Sequence, residues 1–390
     1  MIKGKTIICF SGTNWEMPWG MPQKIMTRLS RSNKIIYIEY QPSFVHCIFG
    51  GMSYIKYMIS GRGRMENIDE NIRVYKPRPG LPFNNYIRLI NMFNQLDAIR
   101  AVKEELKGIP PQEVIIWAFV PYAIDLINAL DSYYTIYHCA GNYAEEKKSV
   151  LRKNTVVRME MDILKRSDLV IAQTESLKKR FETLGKAVYY MPSAVDMELF
   201  GLAVESSPET KDRIDASPIP RIGVVGYFDD TFYDTDLLVF LMEARRDWSF
   251  IFIGPLTGRA RGFKRLLALP NAHFIGNRPP REMPGLIRKM DVCIIPYKVN
   301  NYMNEVSPTK YYEYLACGKP VVSTPLPDLK GDPKVLRIAR DRKGFLGHLD
   351  DILTGSGNYE DAAKRLAGEN SLDKHLETFF SFAERKGMKI

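Results

Sequence analysis

Three charged side chains in the stretch NEVSPTKYYEYLACGKPVVST (304–324) have types and spacing that could do chemistry. Lys310 falls in the first turn of an expected helix, where the macrodipole is positive and an acidic residue is the usual choice. Ser307 is the expected N-cap, Pro308 falls at N1 and Cys317-Gly318 ends the helix, so Lys310 is read at N3 beside free backbone N–H groups. Such a cluster is an anion site. A diphosphate placed there turns the lysine from a dipole penalty into a partner, through charge-assisted hydrogen bonds of ~1.5–3 kcal/mol each. Glu313, one turn further along the same face, can accept from a vicinal diol attached to that diphosphate, and Glu305 in the preceding loop can reach hydroxyls on its other side. The pattern reads as a grip on a sugar nucleotide. The plainer alternatives are a solvated glutamate within a helix and an acid before a helix that only serves its dipole.

A loop, helix and strand unit of this kind needs a parallel sheet behind it. Short β-rich apolar runs alternate with helical patterns along the whole chain, the mark of βαβ units. About seven strands are expected in the first half: TIICFSG (6–12), KIIYIEY (34–40), IRVYK (72–76), VIIWAFV (114–120), YTIYHC (134–139), DLVIAQT (168–174) and AVYYMP (187–192). Six more are expected at RIGVVGY (221–227), SFIFIGP (249–255), AHFIGN (272–277), DVCIIPY (291–297), PVVST (320–324) and KVLRIA (334–339). The polar stretch 204–219 between the two series is read as a linker. The expected organisation is therefore α/β: a Rossmann-like domain at 1–203, a second at 220–370, and a C-terminal helix at 371–390 packing back on the first. Two such domains face a central cleft, and ligands of open parallel sheets bind outside the carboxyl ends of the strands.

Composition narrows the function. The 390 residues carry a net charge of +10, and the first 200 hold 27 Lys+Arg against 20 Asp+Glu, a surplus of +7. An anionic partner is implied, with the first domain doing more of the attracting. Five scattered cysteines without a Cys-x-x-Cys pair suit a reducing cytosol, and five scattered histidines lack metal-ligand spacing, so no dedicated metal site is expected. The first apolar run is too short for a signal-peptide core, and the weakly polar run 44–61 is broken by His46, Gly50-Gly51 and Lys56, short of a spanning helix. A recognised nucleic-acid module and an aromatic-basic platform are lacking, which ranks that class last, and no nucleic-acid partner is expected.

The Glu305-x7-Glu313 spacing, KYYEYLACGKPVVST, YMPSAVDMELF and DVCIIPY together resemble the retaining family-4 glycosyltransferases of the GT-B fold. NWEMPWGMPQKIMTRLS and GYFDDTFYDTDLLVFL are similar to the teichuronic-acid, capsule and exopolysaccharide types within that group. The resemblance covers nearly the whole chain. It implies that Glu313 binds the nucleotide ribose and Glu305 the donor sugar. Amides around Ser307, Thr309 and Lys310 would hold the diphosphate, and Arg278 in GNRPP would lie in the base-binding loop. Gly12 and Asn14 in SGTNW would lie near phosphate or acceptor, and His138 near the donor sugar, where a neutral imidazole can orient or deprotonate an acceptor. For each of these an ordinary turn, surface or hydrogen-bonded residue is the plainer reading.

Two departures from the family pattern stand out. GYFDDTFYD places Asp229 and Asp230 where an Arg/Lys pair usually neutralises the leaving diphosphate, which shifts that work to Lys310, helped by Arg278 or the basic run GRARGFKR (258–265). HCAGN replaces an Asp-x-x-Asp-Asp pattern with His138 and Asn142. The resemblance thus implies an enzyme that moves a sugar from a UDP- or GDP-linked donor, without metal or cofactor, to a saccharide or polyprenyl-linked glycan acceptor. The expected location is the cytoplasm, on the inner face of the cell membrane. The basic and apolar stretches 59–65 and 73–93 are either solvated structure or a surface for anionic lipid. A sugar-nucleotide epimerase of the same fold and a catalytically silent sugar-nucleotide-binding or membrane-adaptor protein are the alternatives.

Overall fold

Strands of a parallel sheet are covered on both faces, which is why they read as near-continuous apolar runs rather than as alternating patterns. The computed structural model describes residues 2–44, 63–84, 86–144, 149–201, 208–257, 260–355 and 357–388. It divides into two units, Met1–Pro192 with Leu376–Ile390, and Ser193–His375. His46, Cys47, most of the run 44–61, residues 59–62 of the basic stretch, 204–207 of the expected linker and 258–259 of GRARGFKR lie outside the described residues.

The first unit is an eight-stranded sheet formed by β1 (Thr6–Phe10), β2 (Lys34–Ile38), β3 (Arg64–Asn67), β4 (Ile72–Lys76), β5 (Val114–Ala118), β6 (Tyr134–Cys139), β7 (Leu169–Ala172) and β8 (Val188–Tyr190). Their order is β3-β4-β2-β1-β5-β6-β7-β8. Thr6 pairs with both Lys34 and Val114, so β1 lies inside the sheet, and all five of its residues are buried. The pairing is parallel except for β3, which runs antiparallel to β4 at the edge. Sequence reading misses β3 because RMEN has one apolar residue and is largely solvated, so it lacks the periodic signal that marks the others.

The helix Leu372–Arg385 carries Leu376, Phe379, Phe380 and Ala383 at helical spacing, all buried. Phe379 packs at 5.4 Å from Trp117 on β5 and 5.5 Å from Tyr189 on β8. These ring contacts explain why the chain from Leu376 belongs with the first unit.

The second unit is a six-stranded parallel sheet, β9 (Arg221–Val225), β10 (Ser249–Ile253), β11 (Ala272–Gly276), β12 (Val292–Ile295), β13 (Val321–Ser323) and β14 (Leu336–Ile338), in the order β11-β10-β9-β12-β13-β14. Each falls within one of the six runs expected from sequence. The stretch expected to be a linker differs. Pro208–Asp215 is helix, Ile214 is wholly buried and Thr210 is buried with it. Its few apolar positions hid it from a reading based on apolar period.

Candidate functional site

A crossover helix in a parallel sheet runs opposite to the strands it joins, so its N-terminus lies at their carboxyl edge. The helix Thr309–Ala316 connects β12 to β13 and obeys this rule. Tyr314 pins it to the end of β9, its hydroxyl accepting from the Val225 N–H at 2.9 Å. Lys310 and Glu313 are thereby fixed at the carboxyl edge. The Lys310 ammonium donates to Glu313 Oε2 at 2.7 Å, with the two side chains 15% and 3% exposed. The lysine that looked misplaced in a helix start is thus compensated by a buried carboxylate one turn on. Glu305 closes a 3-10 turn, Met303–Glu305, just ahead of this helix.

Ser307 is not the N-cap. The helix begins at Thr309 with Pro308 in the cap position, so Lys310 stands at N2 rather than N3. The Ser307 hydroxyl is used elsewhere: it accepts from the Ser193 N–H at 3.1 Å, while the Ser193 hydroxyl donates to the Ser307 carbonyl at 2.8 Å. Thr309 Oγ1 donates to Ser193 Oγ at 3.0 Å. Three hydroxyl residues from two distant parts of the chain therefore hold the helix start, and its first amides are left without a side-chain cap. Sequence reasoning missed Ser193. Its signal was weak, a lone serine in YMPSAVD.

Two glycines shape the same edge and also went unread. A side chain at Gly226, after β9, would meet the Tyr233 hydroxyl at 2.0 Å, and one at Gly254, after β10, would meet the Gly226 carbonyl at 1.8 Å. Arg278 follows β11, its Nε donating to Thr210 Oγ1 at 3.0 Å and its Nη1 to the Asn277 carbonyl at 2.8 Å. The helix in the expected linker thus holds this guanidinium. The acids of GYFDDTFYD are engaged in building the loop: Asp229 accepts from the Thr231 N–H at 2.8 Å and from Thr257 at 3.0 Å, and Asp230 accepts from the Gly262 N–H at 2.8 Å. Lys264 and Arg265 of the basic run are exposed on the helix Arg261–Leu266.

The remaining candidates belong to the first unit. Gly12 follows β1, where an added Cβ would lie 2.8 Å from Val120 Cγ1. The Asn14 carbonyl accepts from Gln23 Nε2 at 3.0 Å, while its buried Oδ1 has no hydrogen-bond partner among the described residues. His138 sits within β6, fully buried. It stacks on Phe119 at 4.7 Å, and its Nδ1 lies 3.4 Å from the Trp117 indole N–H. Burial lowers its pKa to about 3. A histidine so placed is neutral across the physiological range and a weak base, which favours a positioning hydrogen bond over proton abstraction.

This shift makes stability depend on pH. The unfolded histidine takes up a proton near pH 6.5 and the folded one only near pH 3, so the cost is absent above pH 6.5 and grows as pH falls between those values. His138→Phe is expected to flatten the fall in urea-unfolding stability between pH 6.5 and 4. An unchanged slope would remove His138 as a source of acid sensitivity.

Two Rossmann-like parallel-sheet units in one chain define the GT-B fold. Residues 220–355, most of the second unit, match the family described as glycosyl transferases group 1. Over 224 residues the chain is 30% identical to TuaH of Bacillus subtilis, named for glycosyltransferase activity in teichuronic acid biosynthesis. That match spans 54% of this chain and 55% of the relative, about half of each. Sucrose-phosphate synthase from Thermosynechococcus elongatus is similar in structure, with a TM-score of 0.73 at 12% identity over 98% of both chains. Anabaena Alr3699/HepE, in complex with UDP and glucose, aligns over 98% of this chain and 100% of its own, with a TM-score of 0.66 at 13% identity. At such identities the structural likeness is one of fold.

Proposed function

We propose that this chain is a glycosyltransferase of surface-polysaccharide assembly. It takes a sugar from a nucleoside diphosphate sugar and passes it to a saccharide or polyprenyl-linked glycan, working in the cytoplasm at the inner face of the membrane. The observation that carries the reading is the Lys310–Glu313 pair at the start of a crossover helix, inside the residues that match the group 1 family. Structures of Anabaena Alr3699/HepE with UDP and with UDP-glucose support UDP as the nucleotide.

In the reaction the bond between the anomeric carbon and the diphosphate oxygen breaks, and its electron pair leaves with the phosphate. The acceptor hydroxyl oxygen forms the new bond, with retained configuration, and its proton departs to the diphosphate or solvent. Negative charge develops on the leaving group, where the Lys310 ammonium and the uncapped amides of the helix start stabilise it without a metal. Glu313 holds the ribose diol, Glu305 the donor sugar and Arg278 the base. Gly12 and Asn14 serve phosphate or acceptor, and His138, covered by Trp117 and Phe119, is left out of direct contact with the sugar.

The test is incubation of the full chain with a panel of nucleotide sugars and membrane extract, following labelled sugar and free nucleotide together, with and without chelator. Equimolar transfer and nucleotide release, insensitive to chelator, is expected. Epimerised donor without transfer, or donor binding without turnover, would replace this reading.

A further inference from the structure

We infer that the helix Arg88–Glu105 and the start of the helix Val150–Arg166 form one face that docks on anionic membrane lipid. This deepens the membrane-side location proposed above and rests on observations independent of the donor site. The first two turns of the helix Arg88–Glu105 are built inside out, while its later turns bury Ala98, Ile99 and Val102 in the core. The buried side of the first turns holds Asn91 and Gln95, 2% and 4% exposed. Asn91 Nδ2 donates to the Tyr122 carbonyl at 3.1 Å and to Asp125 at 2.6 Å, and Gln95 Oε1 accepts from the Leu126 N–H at 2.9 Å. Arg88 locks the orientation, donating to Asp125 at 2.9 Å and to Asp162 at 2.8 Å. Leu89 and Phe93 are left on the outside, 69% and 60% exposed. Turns that bury amides and expose leucine and phenylalanine reverse the usual amphipathic order, and such a face marks a partner surface.

Elements far apart in sequence extend the face. Thr155 Oγ1 donates to the Tyr86 carbonyl at 3.0 Å, and the Arg152 guanidinium lies 5.6 Å from the Tyr86 ring centre. This joins Val150 and Leu151, 74% and 61% exposed, to the Leu89 side. At the turn before the first helix Phe83 is 60% exposed at φ 70°. A bulky non-glycine residue rarely holds that conformation, and here the strain presents an aromatic ring to solvent. Charge selects the occupant. Arg152, Lys153 and Arg158 stand at the start of the helix Val150–Arg166 with no acid among residues 149–159, while Arg78 pairs with Asp97 and Arg88 with Asp125 and Asp162. Apolar anchors set among cations suit the boundary between acyl chains and anionic headgroups.

The experiment is co-sedimentation of the full chain with phosphatidylcholine vesicles, with and without phosphatidylglycerol, read beside transfer to a soluble saccharide acceptor. Binding is expected only with phosphatidylglycerol and is expected to fall at high salt. The exposed pair Leu89→Ser and Phe93→Ser is expected to weaken it roughly tenfold or more. Arg152→Glu with Lys153→Glu is expected to weaken it roughly fivefold per residue. Both variants are expected to leave transfer to the soluble acceptor unchanged, so failure of docking and failure of the proposed activity are read separately. Equal binding to phosphatidylcholine alone, or full binding by the Leu89/Phe93 variant, overturns the inference. A dimer that this variant dissociates, without vesicle binding by the parent, overturns it too and assigns the face to a second copy.

Discussion

Replacing Lys310 by Gln is expected to lower kcat/KM for sugar transfer by about 10²–10³ while leaving a folded protein, a loss comparable to removing one donor from a preorganised anion site. Gln is chosen because the lysine also has a structural partner. Its ammonium lies 2.7 Å from a carboxylate that is itself almost wholly buried. Truncation to Ala strands that carboxylate, and breaking a buried pair from one side costs about 3–5 kcal/mol. An amide can still donate to Glu313 but brings no charge to a diphosphate. Gln and Ala variants are therefore expected to separate: both lose transfer, and only Ala also loses stability in urea unfolding. The acids upstream offer no compensation, since Asp229 and Asp230 carry the same sign of charge as a diphosphate and serve to bind loop amides and Thr257. Transfer by Lys310→Gln within a factor of a few of the parent would take the lysine out of phosphate stabilisation.

Gly254→Ala is expected to unfold the second unit or to destabilise it by more than ~4 kcal/mol, at the exceptional end of single substitutions. Two costs add. The residue holds φ 142°, which side chains rarely adopt, and an added Cβ would stand 1.8 Å from the Gly226 carbonyl oxygen. Backbone is the obstacle, so no rotamer change relieves it. Gly276 is the control one strand over. It also has positive φ, 79°, but the nearest atom to an added Cβ is 3.9 Å away, so Gly276→Ala meets strain alone and is expected to cost about 1–2 kcal/mol. Denaturant melts of both variants check the gradation. Equal costs at the two positions would show that the close approach of β9 and β10 does not limit the fold.

Residue types and their periods were enough to place most of the strands and the helix that carries Lys310 and Glu313. Apolar runs bounded by turns mark strands because a parallel sheet buried on both faces leaves little choice of residue, and all six strands of the second unit were legible for that reason. Lys310 and Glu313 were legible because they share one helix, where a spacing of three residues fixes the geometry. Features built across sequence distance needed the folded chain. Ser193 and Ser307 meet through pairing that no local pattern encodes, and the helix starts two residues past the expected cap. His138 became a buried neutral ring because Trp117 and Phe119 cover it. The outward apolar face of the helix Arg88–Glu105 is defined by Asn91 and Gln95 bound on its inner side. Periodicity shows that a helix has two faces, and packing partners decide which of them is buried.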